Sequence, residues 1–222
     1  MNNSCESKLA HPCVWGSICG PWIVLLLLLD LPAALQAQFT YTINNGTITI
    51  TGYTGPGGAV TIPSTIDGLP VTTIGDSAFA FCPLSSVTIP NSVISIGDWA
   101  FFDCRSLTSV MLGDHVTSIG VSAFDTCISL TSVTIPNSVT NIGDHAFTEC
   151  SSLNAITVDT LNPAYSSFNG ALLDKNQTTL LQCPANKVGS YTIPSSVTTI
   201  GSWAFIYCSR LTRVIIPDSV TI

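Results

Sequence analysis

An internal repeat governs the chain from about residue 59 onward. The dipeptide Ile-Gly recurs at intervals of 22 or 23 residues, with one long interval of 58 residues. In each copy an Ala-Phe pair follows, then a Cys three residues after the Phe, and then a Leu. The five copies are marked by Ile74, Ile96, Ile119, Ile142 and Ile200. So many columns in register predict one structural unit that is stacked repeatedly.

Each copy also contains a short segment such as Val133-Thr-Ile135, in which apolar and polar residues alternate. This alternation predicts a strand with one buried face, and a single strand of this kind cannot bury that face alone. The fold class that we predict is therefore a repeat solenoid, with parallel β-strands on one face and short helical turns on the other. Asp76, Asp98 and Asp144 stand just before the Ala-Phe pairs, where we expect them to cap those helical turns.

The full pattern is Ile-Gly-x-x-Ala-Phe-x-x-Cys-x-x-Leu-x-x-Val-x-Ile-Pro, and it resembles the BspA-type leucine-rich repeat. The resemblance covers about residues 59–222. It implies a curved solenoid, secretion or display at the cell surface, and a role in adhesion or recognition. It implies no catalytic residues, so we expect neither an enzyme nor a cofactor.

Three further segments complete the organisation that the sequence predicts. Residues 1–37 contain the apolar run Trp22–Leu29 and are typical of a secretory signal peptide cleaved after Ala37, with an uncleaved anchor or a misassigned start as the alternatives. Residues 38–58 predict a β-hairpin cap that turns at Asn-Gly. The long interval predicts a hairpin-bearing repeat at about residues 154–194. The pattern stops within a repeat, so we expect an open or truncated C-terminal end.

Composition narrows the range of partners. Only 9% of the residues are charged, and six basic residues against 13 acidic ones give a net charge of −7. Such a chain has no basic surface for nucleic acid. We expect a protein or glycan partner, no nucleic acid, and contact with a membrane only through the signal segment. The expected location is secreted or at the cell surface.

The cysteines of the repeat form one column, which we interpret as a ladder of small buried side chains. Disulfides between rungs and a zinc site are the less favoured alternatives, because a row of parallel side chains suits neither geometry. Cys183 lies outside the column and is a candidate free thiol. The column consists of Cys82, Cys104, Cys127, Cys150 and Cys208.

The outward face of the strands is the predicted binding face. Alternation places one residue of each strand at its centre, and most of these residues are Thr. The alternative is that Thr is common there because it favours strands. Trp99 and Trp203 could form a second apolar contact region, whereas His115 and His145 have no supporting catalytic context. The predicted face consists of Thr61, Thr88, Met111, Thr134, Thr157, Thr192 and Ile215.

Two hypotheses of function follow from these observations. The first is a recognition or adhesion module that binds its ligand through the sheet face. The second is a structural spacer within a larger surface protein.

Overall fold

The computed structural model describes residues 38–221. The predicted signal peptide at residues 1–37 lies outside the described residues, as does Ile222. Within residues 38–221, no helix is long and apolar enough to cross a membrane.

The described part of the chain is built from eighteen strands that wind into a solenoid. In chain order they are β1 (Phe39–Asn44), β2 (Thr47–Tyr53), β3 (Gly58–Thr61), β4 (Thr65–Ile66), β5 (Leu69–Ile74), β6 (Leu84–Thr88), β7 (Ser95–Ile96), β8 (Ser109–Met111), β9 (Ser118–Ile119), β10 (Ser132–Ile135), β11 (Asn141–Ile142), β12 (Ala155–Val158), β13 (Tyr165–Phe168), β14 (Ala171–Asp174), β15 (Thr179–Gln182), β16 (Gly189–Thr192), β17 (Thr199–Ile200) and β18 (Leu211–Ile215).

The strands form four sheets, and each regular coil contributes one strand to each of the first two. Sheet A has the order β1-β2-β5-β7-β9-β11, with β4 paired to β5. Sheet B has the order β12-β10-β8-β6-β3 and is parallel throughout. Sheet C (β13-β14-β15-β17) and sheet D (β16-β18) continue the solenoid through the long repeat and into the last coil. The parallel stacking that the sequence predicts is therefore present.

The first coil is covered by the β1–β2 hairpin. Its turn residues Asn45 and Gly46 have φ angles of 50° and 79°, the left-handed pair that a two-residue hairpin turn requires. Strand β2 pairs in parallel with β5, so the hairpin extends sheet A. Tyr53 packs on Phe79, with their ring centroids 5.4 Å apart, and Phe39 lies beside both rings. The hairpin thus shields the apolar interior of the first coil.

The side of the coils opposite sheet B contains no helix in the described residues, so the predicted short helical turns are absent. Alternate N–H groups of the turn segment bond within their own coil, as Ala78 donates to Gly75 O (3.3 Å). The intervening N–H groups donate to the next coil, and Phe79 donates to Ala100 O at 2.7 Å. A helix would satisfy all of these donors locally, whereas this arrangement uses half of them to join neighbouring coils.

Two positions in each regular turn segment have left-handed φ angles, which rotate successive peptide groups out of helical alignment. None of these residues is Gly, and such conformations carry a strain of about 1 kcal/mol or more each in residues other than Gly. In the first three turn segments, hydrogen bonds from both positions to the next coil hold the backbone in this conformation. The first position is held by Ser77, Trp99, Ser122, His145 and Trp203, and the second by Phe81, Asp103, Thr126, Glu149 and Tyr207.

The predicted capping role of the Asp column is wrong for the first two members. Asp76 Oδ1 accepts a hydrogen bond from the backbone N–H of Asp98 (2.9 Å), and Asp98 Oδ1 accepts from Val121 N–H (2.7 Å). These carboxylates bridge adjacent coils because there is no helix to cap. Asp144 makes no such bond within the described residues.

The interior is a column of stacked Phe rings. Phe79, Phe101, Phe124 and Phe147 are fully buried, and their successive ring centroids lie 5.0, 5.0 and 5.6 Å apart. The rings are nearly parallel, with interplanar angles of 13° or less. Each ring therefore needs the rings above and below it to be shielded from water.

The column changes at the long repeat. Cys183 donates its N–H to Ala204 O (2.7 Å), as Phe79 does to Ala100 O, so Cys183 occupies the Phe position of its coil. The buried ring of Tyr191 fills the space instead and packs edge-on against Phe205, with centroids 6.2 Å apart. The apolar core accordingly divides here into a large and a small cluster.

The stacked column predicts a large cost for removing one interior ring. We expect Phe124→Ala to lower the free energy of unfolding by about 3–5 kcal/mol, because it leaves a cavity between two rings that cannot close on each other. Urea denaturation followed by circular dichroism measures this change. Phe81→Ala removes the same ring from a position that is 46% exposed, and its cost should be much smaller. Equal losses in the two variants would contradict the stacked column.

The bridging carboxylates predict a second stability difference. Asp98→Ala leaves the N–H of Val121 without its acceptor and should cost about 1–2 kcal/mol. Asp144→Ala removes an exposed carboxylate that accepts no inter-coil bond, so its change should stay within about 0.5 kcal/mol. The same urea titration tests both variants, and a loss in Asp144→Ala as large as that in Asp98→Ala would show that the bridge is irrelevant.

Candidate functional site

The outward face of sheet B brings five of the seven predicted face residues into one row. The strand register pairs Thr61 with Thr88, Thr88 with Met111, and Thr134 with Thr157. All are exposed except Thr88, which is half-buried, and Met111 is 65% exposed. The row arises because the alternate residues, such as Val87 and Val133, point into the core.

A second row runs beside the first, two residues earlier in each strand. It consists of Ala59, Ser86, Ser109, Ser132 and Ala155. Neither row contains a charged or an aromatic residue. With a strand spacing of about 4.8 Å, the two rows make a neutral surface about 20 Å across. We call these ten residues the sheet B face.

Thr192 and Ile215 belong to a different surface. They lie on β16 and β18 of sheet D, where Thr192 pairs with Ile215 and Ser190 with Arg213. The hairpin of the long repeat lies beside β12, because Ile156 N–H donates to Gly170 O (2.8 Å). The structure thus divides the predicted row into two parts. The part on sheet B is neutral, and the part on sheet D lies beside the cationic residue Arg213.

Some of the Thr hydroxyls have a structural role. Thr134 and Thr157 share a hydrogen bond of 3.0 Å across sheet B, and Thr157 also bonds Val133 O (3.2 Å). Away from the face, the hydroxyl groups of Thr108 and Thr117 donate to carbonyl groups of the preceding coil. The abundance of Thr therefore reflects coil stacking as well as the composition of the face.

The cysteine column is buried in its first four members and partly exposed at Cys208. The thiol groups of Cys104, Cys127 and Cys150 each donate to a Phe carbonyl oxygen of the preceding coil, and Cys104 Sγ lies 3.0 Å from Phe79 O. Burial raises the pKa of Cys150 to about 12 and that of Cys127 well above its usual value. No disulfide joins the six cysteines of the described residues, and these residues contain no cluster of metal ligands.

Sequence reasoning missed the partner of Cys183. Cys208 of the next coil lies against it, and Cys208 Sγ is 3.5 Å from Cys183 O. A hydrogen bond from the Cys183 thiol lowers the pKa of Cys208, while the same pairing and burial raise the pKa of Cys183. The sequence around Cys183 does not reveal this pairing. Cys183 stands where the other coils have Phe, but the surrounding residues lack the repeat motif that would identify the position.

The comparisons with known proteins agree with this architecture. A family model described as the BspA type leucine rich repeat region matches residues 72–179 and 182–222 in six copies. Among solved structures, the chain is similar to a leucine-rich repeat protein from Bacteroides capillosus, with 35% identity and a TM-score of 0.51. That match covers 55% of this chain and 94% of the other.

A second solved structure, a leucine-rich repeat protein from Eubacterium ventriosum, is 28% identical with a TM-score of 0.56. The match covers 81% of this chain and spans 57% of that protein's length. The comparison with curated proteins found no match.

The thiol environments predict an order of reactivity. We expect iodoacetamide to modify Cys208 first in the native protein, because it is partly exposed and its lowered pKa increases its thiolate fraction. The rate at Cys208 should rise with pH before that of any buried rung such as Cys150. Peptide mapping by mass spectrometry measures each thiol separately, and unfolding in urea should abolish the differences. Faster native labelling of Cys127 or Cys150 would contradict the described packing.

Proposed function

The chain belongs to the BspA-type leucine-rich repeat family, and from this premise we propose that it is a recognition module that binds a protein partner through the sheet B face. The five parallel strands of sheet B support this proposal, because their outer surface is exposed and uncharged and a continuous core packs behind it. Repeat arrays commonly bind through such extended surfaces, since each coil adds a few weak contacts.

The chemistry of the face favours a protein over a glycan. Sugar rings commonly stack on aromatic side chains, and the two rows of sheet B contain none. Met111 is 65% exposed near the middle of the face, and Met is enriched at protein interfaces because its flexible thioether adapts to different partners. The surrounding hydroxyl groups of Ser109 and Ser132 would supply hydrogen bonds around this apolar centre.

The proposed location is secreted or at the cell surface. Residues 1–37 have the pattern of a secretory signal, and a hydroxyl-rich exterior suits an extracellular binding surface. We propose no catalytic activity for this module, because its face offers neither a nucleophile with an adjacent base nor a pair of carboxylates.

Binding through the sheet B face predicts that charge placed on it is disruptive. The double variant Thr134→Lys/Thr157→Lys puts two ammonium groups at adjacent exposed face positions. Circular dichroism checks that the fold persists without the hydrogen bond between the two Thr residues. We expect at least a tenfold loss of saturable binding in a screen of immobilised extracellular matrix proteins and glycans. Surface plasmon resonance on the strongest hit measures the loss.

A matched control distinguishes the effect of charge on the sheet B face from the effect of the added net charge. Asn137→Lys/Thr160→Lys adds the same two charges at exposed loop positions outside the sheet B face and should leave affinity unchanged. Equal binding by both double variants would exclude the face as the contact surface. A screen without saturable binding would instead favour the spacer hypothesis, and a glycan as the strongest hit would overturn the choice of partner.

A further inference from the structure

The regular stacking of coils is interrupted at one junction of the described chain, between the turn segments of residues 143–150 and 179–186. Sheet A ends at β11, which has no strand partner in β15. The N–H of Ile142 instead donates to the phenol oxygen of Tyr165 (2.9 Å). No main-chain hydrogen bond joins the two turn segments, and Gln182 Nε2 donates to Phe147 O (3.0 Å) in their place. Side chains thus replace the inter-coil ladder here.

A cavity of about 540 Å³ opens where the ladder is interrupted. This volume lies within the range of small-molecule binding sites. Its walls combine aromatic and polar side chains from the coils on both sides, chiefly Asp144, His145, Tyr165, Gln182, Ser202 and Trp203. The repeat pattern marks Trp203 as a candidate apolar contact residue and His145 as a residue without catalytic context, and it gives no sign that the long repeat brings the two together.

The coils that flank the junction reach across it. Leu181 holds the place in the long repeat that His145 and Trp203 hold in the coils on either side, and it lies deeper than both. The rings of His145 and Trp203 consequently approach to 6.2 Å between centroids, over the recessed coil. Tyr207 similarly hydrogen-bonds Glu149, which raises the pKa of Tyr207. These two contacts join the coils on either side of the junction, and the first of them lies between two residues that line the cavity.

The charges around the cavity favour a cationic ligand. Asp144 is the one acidic side chain among the lining residues, and no Lys or Arg lines the cavity. Glu149 and Asp125 add negative potential nearby, and each raises the pKa of Tyr207 by its charge. An anion such as phosphate has no counter-charge here. Trp and Tyr rings attract alkylammonium groups through their negative faces, and Trp203 is 64% exposed.

We propose that this cavity binds an alkylammonium group, with Asp144 as the counter-ion and the rings of Trp203 and Tyr165 as its aromatic walls. The Tyr165 hydroxyl accepts from Ile142 and keeps its own hydrogen for a polar substituent of the ligand. The ammonium group can belong to a small amine or to a lysine side chain of a partner. The proposal does not depend on the sheet B face, since the lining shares no residue with it.

Isothermal titration calorimetry tests the charge requirement directly. Choline is the probe, and 3,3-dimethylbutan-1-ol has the same shape without the charge. We expect choline to bind with one-to-one stoichiometry and at least tenfold more tightly than the neutral alcohol, and added salt should weaken it. Equal affinity for both compounds, no choline binding, or tight binding of glucose alone would each overturn the proposal.

Matched variants locate the binding site. Trp203→Ser should weaken choline binding at least tenfold, and Ser77 and Ser122 show that Ser is accommodated at this left-handed position. Trp99→Ser changes the equivalent residue of a distant coil and should have no effect. Asp144→Asn should weaken binding, whereas Asp98→Asn removes the same charge elsewhere and should not. Identical effects of Trp203→Ser and Trp99→Ser would overturn the assignment.

A second titration distinguishes the two sources of the ammonium group, a small amine and a lysine side chain of a partner. A peptide that contains one lysine and its Nζ-acetylated form are compared with choline. Tighter binding of the unmodified peptide identifies a side chain of a partner as the natural ligand, and tighter binding of choline identifies a small amine. Thr134→Lys/Thr157→Lys should not change choline affinity, so failure of the sheet B proposal would leave this result intact.

Discussion

The first three regular turn segments, which contain Phe79, Phe101 and Phe124, depend on the next coil for half of their backbone hydrogen bonds. Ser77, Phe79 and Phe81 donate to carbonyl groups of the following coil, while the residues between them bond within their own turn. A single coil would therefore leave these donors to water and expose both faces of its Phe ring. Because hydrogen bonding and burial of the rings require the same neighbour, the coils can be stable only as a stack.

This mutual dependence also explains the composition. A position that is buried between coils needs an apolar side chain, and a position at the coil surface needs a small group that can bond to the adjacent coil. Thr117 and Asp98 do the latter with a hydroxyl and a carboxylate. Salt bridges have little part in such a structure, and Arg105 with Asp103 is the one ion pair in residues 38–221. A charge content of 9% is therefore compatible with a well-ordered fold.

The sequence predicts the structural features that recur at the same position in every repeat. The strands, their parallel order and the burial of residues such as Phe124 follow from periodicity, since a conserved spacing places equivalent residues one above another. The conformation of the turn segment does not follow. Ser77, Trp99 and His145 share a left-handed φ, but no Gly marks the position and their side chains have nothing in common. The preference for a helical turn fails because inter-coil bonds override local propensity.

In the long repeat the hairpin follows from the sequence, but the positions of the residues that complete the coil do not. These residues keep the backbone path of a coil but lose the motif that would reveal their positions, so Cys183 stands where the other coils have Phe. The pairing of its N–H with Ala204 and the contact of Cys208 Sγ with its carbonyl oxygen show this equivalence. Tyr191 then restores the lost volume from another strand, a compensation between residues that the repeat pattern does not connect.

Where the coils of this solenoid stack regularly, no cavity forms between them. Where Phe79 to Phe147 stack at about 5 Å, each coil fills the space beneath the next and leaves room for contact only along an outer surface. A concave site requires that the ladder be broken while the flanking coils stay fixed. The hairpin of the long repeat meets both conditions, because Tyr165 and Gln182 replace main-chain bonds without drawing the turn segments together. The interruption is thus the place where this array can bind a small group.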